Sequence, residues 1–313
     1  MFTFSLRIKA LLFGITLAIC TSIVAAQEKL PVVASFSILA DMVRELGGEL
    51  VEVTSLVGPN ADAHGFEPTP TDAKKLAQAK LVVINGLHFE GWTNRLIKSS
   101  GYKGEVIVAS KGSKTIPLPS PEKNNKSHGH SHGHDHGTID PHAWQSLDNA
   151  KIYIRNISAG LIRALPSHAE QIKTREAAYL KQIDELNQQA KTLFSAIPSE
   201  KRHVITSHDA FGYLARAYNI QFFSPQGWST DREASAADVA RINRQIRDQK
   251  ITALFLEKSS DGRLLEQIAK DTGVKIGGTL YSDALSAPGT EADTYLKMYA
   301  HNVDTLIKGL QQN

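Results

Sequence analysis

From Ser167 to Ala196 the chain contains neither proline nor glycine, and this stretch divides everything else in it. Ile172, Leu180, Ile183, Leu186, Ala190 and Leu193 recur at three-, four- or eight-residue steps, the stripe of an amphipathic helix. Pro166 precedes it, Ser167-x-x-Glu170 predicts a capping box at its start, and Pro198 follows its end. Such a helix would run roughly 45 Å at about 1.5 Å per residue. That is more than one small domain needs. It suits a rigid strut, residues 167–197, joining an N-terminal lobe, 27–166, to a C-terminal lobe, 198–313. Two lobes also fit a length that exceeds what one hydrophobic core usually serves.

Short apolar runs alternate with amphipathic segments on both sides of the strut. Before it, Val32–Phe36, Val51–Val57, Leu81–Asn85 and Val106–Val108 read as buried strands, and Ile38–Leu46, Thr71–Ala79 and Trp92–Ser99 as helices. One of these helices has an explicit start: Thr69 as N-cap, Pro70 at the first helical position, Asp72 three residues after the cap. Beyond the strut, His203–Thr206, Gln221–Phe223, Thr252–Leu256 and Val274–Ile276 read as strands. Ala210–Tyr218, Ala236–Gln249, Leu264–Thr272 and Ala292–Lys308 read as helices, and Ser235-x-x-Asp238 is a second capping-box pattern. The alternation predicts an α/β fold of two lobes, each a parallel β-sheet flanked by helices.

The N-terminus reads as a secretory signal. Arg7 and Lys9 give a positive start, Ala10 to Ile19 is a short apolar run, and Val24-Ala25-Ala26 has the small residues expected before cleavage. The mature chain then begins at Gln27, in the periplasm. Cys20, the single cysteine, leaves with the signal. Lipidation there is disfavoured because Ile19 puts a bulky residue where a small one is normally required. The formal charge of +3 falls to +1 once Arg7 and Lys9 are removed (3 − 2), which gives no case for a nucleic-acid partner.

Residues 111–139 break the alternation. Pro117, Pro119 and Pro121 precede a polar run and then a comb in which His128, His130, His132, His134 and His136 alternate with Gly, Ser and Asp. This composition predicts a disordered, His-rich surface loop over about 113–139, able to hold borderline metal ions loosely.

Four further segments each follow a strand or long loop and lead towards a helix: Asp62 to Pro70, Asp140-Pro141-His142-Ala143-Trp144, Thr206 to Ala210, and Leu280 to Ala284. In open parallel sheets, ligands bind where the loops beyond the carboxyl ends of strands gather. Two of these segments lie before the strut and two after it, so a site made from all four lies in the cleft between the lobes. His64, His142, His208 and Asp283 offer three imidazoles and one carboxylate, a set that zinc accepts in a tetrahedron; manganese tolerates it but favours more oxygen. Asp283 could instead be a helix cap and His208 could cap the following helix. Asp209 and Glu67 read as capping groups or as carboxylates supporting the ligands. Trp144 and Phe66 read as packing groups that keep water out. His88, His168, His203 and His301 read as ordinary surface or packing residues.

Taken together, these segments resemble the zinc/manganese family of periplasmic solute-binding proteins, the receptors of ABC metal importers. The resemblance runs from about Leu30 to Gly309. It rests on the His-x-[aromatic]-Glu-Pro-Thr-Pro segment at His64, Asp-Pro-His-x-Trp at His142, the histidine after the first strand beyond the long helix, and the late Ser-Asp segment. It implies His64, His142, His208 and Asp283 as the ligands of Zn2+, with Mn2+ possible, and an ABC transporter permease as partner. Manganese-type relatives usually carry Glu where this chain has His208. That difference and the comb favour zinc, while the Asp283 region is similar to manganese-type members. A periplasmic metallochaperone is a further candidate partner; a metal buffer or chaperone without a transporter and a secreted zinc hydrolase are the other readings. No His-Glu-x-x-His pattern supports the last.

Overall fold

The computed structural model describes residues 28–118 and 139–312. The signal segment, Cys20 and the five comb histidines lie outside the described residues. Leu30–Phe36 (β1), Val51–Val57 (β2), Leu81–Ile84 (β3) and Glu105–Val108 (β4) form one sheet in the order β2-β1-β3-β4, every pair parallel. His203–Ile205 (β5), Gln221–Phe223 (β6), Ala253–Glu257 (β7) and Lys275–Leu280 (β8) form a second, again parallel, in the order β6-β5-β7-β8. The predicted α/β architecture of two parallel sheets flanked by helices is the one found. Both sheets reverse their winding at an inner pair of strands, β1 with β3 and β5 with β7. The crevices at the carboxyl ends of those pairs are the places where such sheets receive ligands.

Ser37–Gly47 (α1), Pro70–Gln78 (α2) and Thr93–Ser100 (α3) accompany the first sheet. Two of the three expected capping boxes are made. Thr69 and Asp72 open α2 reciprocally, and Ser235 and Asp238 do the same for Ala236–Asp248, labelled α7 below. A helix not expected from the sequence, Leu147–Ala164 (α4), is capped by Ser146, which accepts from Asn149 N–H. Gly160 lies in the middle of α4, where it lowers intrinsic helicity. A β-carbon there would fall 1.9 Å from Ile107 Cδ1, so glycine is what lets α4 press on β4.

The strut is Ala169–Ser195 (α5), 27 residues or about 40 Å long. It packs against α1, α4, Gly212–Tyr218 (α6) and Tyr295–Gln311 (α9). Its predicted capping box is not formed. Residues Pro166–His168 make a turn of 3-10 helix that runs straight into α5, so Ser167 already lies inside a turn and cannot serve as the extended N-cap. Its hydroxyl pairs instead with His168 Nδ1 at 3.0 Å, and Glu170 takes Lys173 at 2.9 Å.

Strand β8 runs four residues past the predicted end at Ile276. Leu254 faces Ile276 but Phe255 faces Gly278, so Gly277 is the extra residue of a bulge. The two glycines that discourage a strand reading are what allow Phe255 and α9 to approach: a β-carbon on Gly277 would meet Phe255 at 2.7 Å and Gly309 Cα at 3.2 Å. Arg263–Thr272 (α8) and α7 cover the outer face of this sheet over a small separate core of Ile205, Ile242, Ile246, Leu254, Leu265 and Ile268. The main core runs unbroken from the first sheet through α1, α4 and α5 to α9.

The chain between β8 and α9 crosses to the first lobe. Leu285 N–H donates to Ser37 Oγ, Asn60 N–H to the Leu285 carbonyl, and Tyr295 N–H to Asp41 Oδ2. Tyr295 and Tyr299 hydroxyls donate back to the carbonyls of Trp144 and Gln145. Bonds made over such sequence distances fix the relation of the lobes around the cleft.

Candidate metal centre

Each of the four expected ligands stands beyond the carboxyl end of a strand. His64 lies in the loop after β2, His142 between β4 and α4, His208 three residues after β5, and Asp283 three residues after β8. All four are buried, three of them completely. The structure brings one donor atom from each within 4.8 Å of all the others, the one such cluster among the described residues. His64 Nε2 is 3.3 Å from His142 Nε2 and 3.7 Å from Asp283 Oδ2. Asp283 Oδ1 is 3.6 Å from His142 Nε2, and its Oδ2 is 3.1 Å from His208 Nε2. Donors bound at about 2.0–2.2 Å to a tetrahedral ion stand about 3.3–3.6 Å apart, so these separations are close to the edges of that tetrahedron.

The polar atoms make the same point. Asp283 and His208 are fully buried, and the Asp283 carboxylate faces no polar group of the described residues other than the three imidazoles around it. Buried polar groups left so are costly, and a shared cation satisfies them together. The donor set therefore fits a divalent transition-metal ion.

Two of the imidazoles are aimed by carboxylates. Asp140 Oδ1 accepts from His142 N–H at 2.9 Å and lies 2.8 Å from its Nδ1. Glu257, the last residue of β7, accepts from His208 N–H at 2.9 Å, and its other oxygen lies 2.8 Å from His208 Nδ1. In each case Nδ1 is engaged and Nε2 is turned to the centre, the arrangement that supports metal-bound histidine. The expected supports, Asp209 and Glu67, do not fill this role. Asp209 lines a neighbouring cavity and Glu67 is exposed. Glu257 escaped the sequence reading because an acid closing a strand carries no signal of its own.

The apolar wall is Phe89, which packs edge-on to His64 at 4.7 Å, and Trp144, 5.3 Å from His142. Trp144 is fully buried as expected, whereas Phe66 packs on Trp92 and not on the ligands. Trp144 Nε1–H and Gln145 Nε2–H both donate to the carbonyl of Ser282, the residue before Asp283, which ties the late loop to the first lobe. His88 is exposed, and His301 packs on Tyr281 with its Nε2 3.0 Å from the Thr279 carbonyl.

Burial pushes His64 down to about 3, keeping it neutral. Burial also lowers His208, but Glu257 and Asp283 outweigh it and hold that imidazole well above its ordinary value. Burial raises Asp283, yet His208 and the other imidazoles hold its carboxyl below the usual range. The carboxylate is thus ionised and ready as a donor, while His208 must release a proton before it can bind an ion.

Residues 32–309 match the family described as ZnuA, zinc-uptake complex component A, periplasmic. The chain is 32% identical over 309 residues to the metal ABC transporter substrate-binding lipoprotein FimA of Streptococcus parasanguinis, covering 97% of this chain and 96% of the relative. It is equally 32% identical to the manganese ABC transporter substrate-binding lipoprotein PsaA of Streptococcus pneumoniae, over 97% and 96%. Its structure is similar to the periplasmic zinc-binding protein TroA of Treponema pallidum, with TM-score 0.82 and 30% identity over 90% of this chain and 99% of that one. A manganese-bound periplasmic metal-binding protein from Candidatus Liberibacter asiaticus gives 0.77 and 29% over 90% and 100%.

Proposed function

We propose, since this chain belongs to the ZnuA family of metal-binding receptors for ABC importers, that its cargo is Zn2+, held by His64, His142, His208 and Asp283 and handed to a membrane permease. One observation carries the reading: four buried donors from both lobes, all within 4.8 Å of one another, with a fully buried carboxylate among them. Three imidazoles to one carboxylate is a borderline donor set suited to zinc.

Manganese is the second reading, and a specific observation favours it. Asp283 presents one oxygen to His142 and the other to His64 and His208, so it has the reach to bind through both and raise the coordination number. The relatives divide in the same way: PsaA is named for manganese and the Liberibacter protein is described with manganese bound, while TroA is named for zinc.

In this reading the receptor works in the periplasm after signal cleavage near Ala26. The comb of His128, His130, His132, His134 and His136 gathers ions at weaker, labile sites, fed by a periplasmic metallochaperone where one exists. The deciding experiment is elemental analysis of the mature protein lacking residues 123–137, after exposure to equal Zn2+ and Mn2+. One zinc per chain is expected. One manganese would overturn the choice of ion, and neither would overturn the site.

A further inference from the structure

The buried donors raise a question that their geometry also answers: which of them an ion passes on its way. His64 lines an open cavity of about 840 Å³ that none of the other three donors lines. On the first lobe this cavity is walled by Gly65, Phe89 and Trp92. On the second it is walled by Trp228, Ser229 and Asp231, from the loop between β6 and α7. The Trp228 ring lies 6.0 Å from that of His64. A second cavity, of about 800 Å³, lies behind the same loop and is lined by the same three residues. The loop is therefore a partition with open space on both faces.

Its base is fixed to its own lobe. Gln226 N–H donates to the Ser207 carbonyl, Asp209 N–H to the Gly227 carbonyl, and Arg241 to the Ser224 carbonyl. Its tip reaches the opposite lobe through Thr230, whose hydroxyl donates to Asp62 Oδ2 at 2.5 Å. The other oxygen of Asp62 accepts from His64 N–H at 2.8 Å. One carboxylate thus holds both the loop and the backbone of the exposed-side ligand. His142 and His208 are each backed by a carboxylate at Nδ1, and the Asp283 loop is gripped through Ser282.

We propose that the ion enters and leaves past His64, and that the Thr230–Asp62 hydrogen bond is the latch that sets the rate. This rests on the four donors being the metal site. Opening the latch frees the loop tip and loosens His64 together, while the other three donors stay in place. Asp62 and Thr230 are positioning residues: neither touches the ion.

The test is stopped-flow release of one equivalent of Zn2+ from the mature protein into excess chelator, with affinity measured separately by competition. Thr230→Val, nearly equal in volume, should speed both release and capture about tenfold and change the affinity less than about threefold, since a bond to a charged acceptor is lost from the closed state alone. Thr230→Ser, which keeps the hydroxyl, should restore slow exchange. Wild-type release from Thr230→Val, or rapid release from both variants, overturns the latch and leaves the binding site standing. Failure of the wild-type protein to hold the equivalent against the competitor overturns the site itself.

Discussion

Glu257 holds His208 at two points, accepting its backbone N–H at 2.9 Å and lying 2.8 Å from its Nδ1. Asp140 grips His142 in the same double fashion. Backbone and ring are set by one carboxylate in each case, so the imidazole reaches the centre already oriented and more basic. Glu257→Gln and Asp140→Asn should each weaken Zn2+ binding by about 10- to 100-fold while leaving one ion per chain. Competition against a chelator of known affinity reads this directly. Unchanged affinity in both variants would mean that packing alone orients the rings.

Removing a donor should cost more than removing its support. His142→Ala and Asp283→Ala should lower affinity by at least about a thousandfold. They should also abolish the rise in melting temperature that Zn2+ gives the parent protein, which at a thousandfold excess over Kd corresponds to about 4 kcal/mol. Deleting residues 123–137 should leave that rise intact. Its loss on deletion would show that the comb and the buried centre are one site.

The four clustered donors are legible in the sequence because each sits in a short segment of turn-forming and chemically distinctive residues beyond a strand. The strands themselves were legible from their β-branched runs. What sequence does not display is pairing across long separations. Thr230 and Asp62 are 168 residues apart, and Asp41 and Tyr295 are 254 apart. No local pattern marks either pair. Glu257 was hidden because the residue it serves lies in the loop beyond a different strand, 49 residues earlier. The bulge at Gly277 and the close packing at Gly160 misled in a different way: glycine weakens the local helix or strand signal where tertiary packing requires it.

Acid should empty the site. Three imidazoles must be neutral to bind, and His208, held well above its ordinary value by Glu257 and Asp283 against the opposing effect of burial, must give up a proton when the ion arrives. Binding near pH 7 should therefore release about one proton, and affinity should fall as pH drops from 7.5 to 5. Calorimetry in buffers of differing ionisation enthalpy measures the proton count. A count of zero with pH-independent affinity would argue against histidine ligation.

The mature N-terminus separates two ways of placing the receptor. The two streptococcal relatives are named lipoproteins, whereas here Ile19 precedes Cys20 and Val24-Ala25-Ala26 follows it. Intact-mass analysis of protein exported by its native signal should give a chain beginning at Gln27. A mass carrying acyl chains on Cys20 would instead place the receptor on a membrane surface.

Away from the candidate metal centre, the lobes are joined by a buried carboxyl whose contact should respond to pH. Asp41 on α1 accepts from Tyr295 N–H at the start of α9, one of the amides that a helix leaves unpaired at its N-terminus. Burial dominates that favourable bond and, with Glu45 and Asp293 nearby and Arg44 opposing them, pushes the carboxyl up to about 7. A carboxyl raised in the folded protein binds its proton more tightly there than in the unfolded chain. The folded state is therefore favoured below about pH 4 and loses that advantage as pH rises through 7. From an ordinary 3.8 to about 7, at about 1.4 kcal/mol per unit, the loss approaches an upper limit of about 4 kcal/mol. Asp41→Asn keeps an acceptor for Tyr295 N–H and removes the titration. It should unfold at higher denaturant than the parent at pH 8 and at nearly the same denaturant at pH 4, both without metal. A constant difference between the two proteins across that interval would mean that Asp41 stays ionised in the fold and acts simply as a helix cap reaching from one lobe to the other.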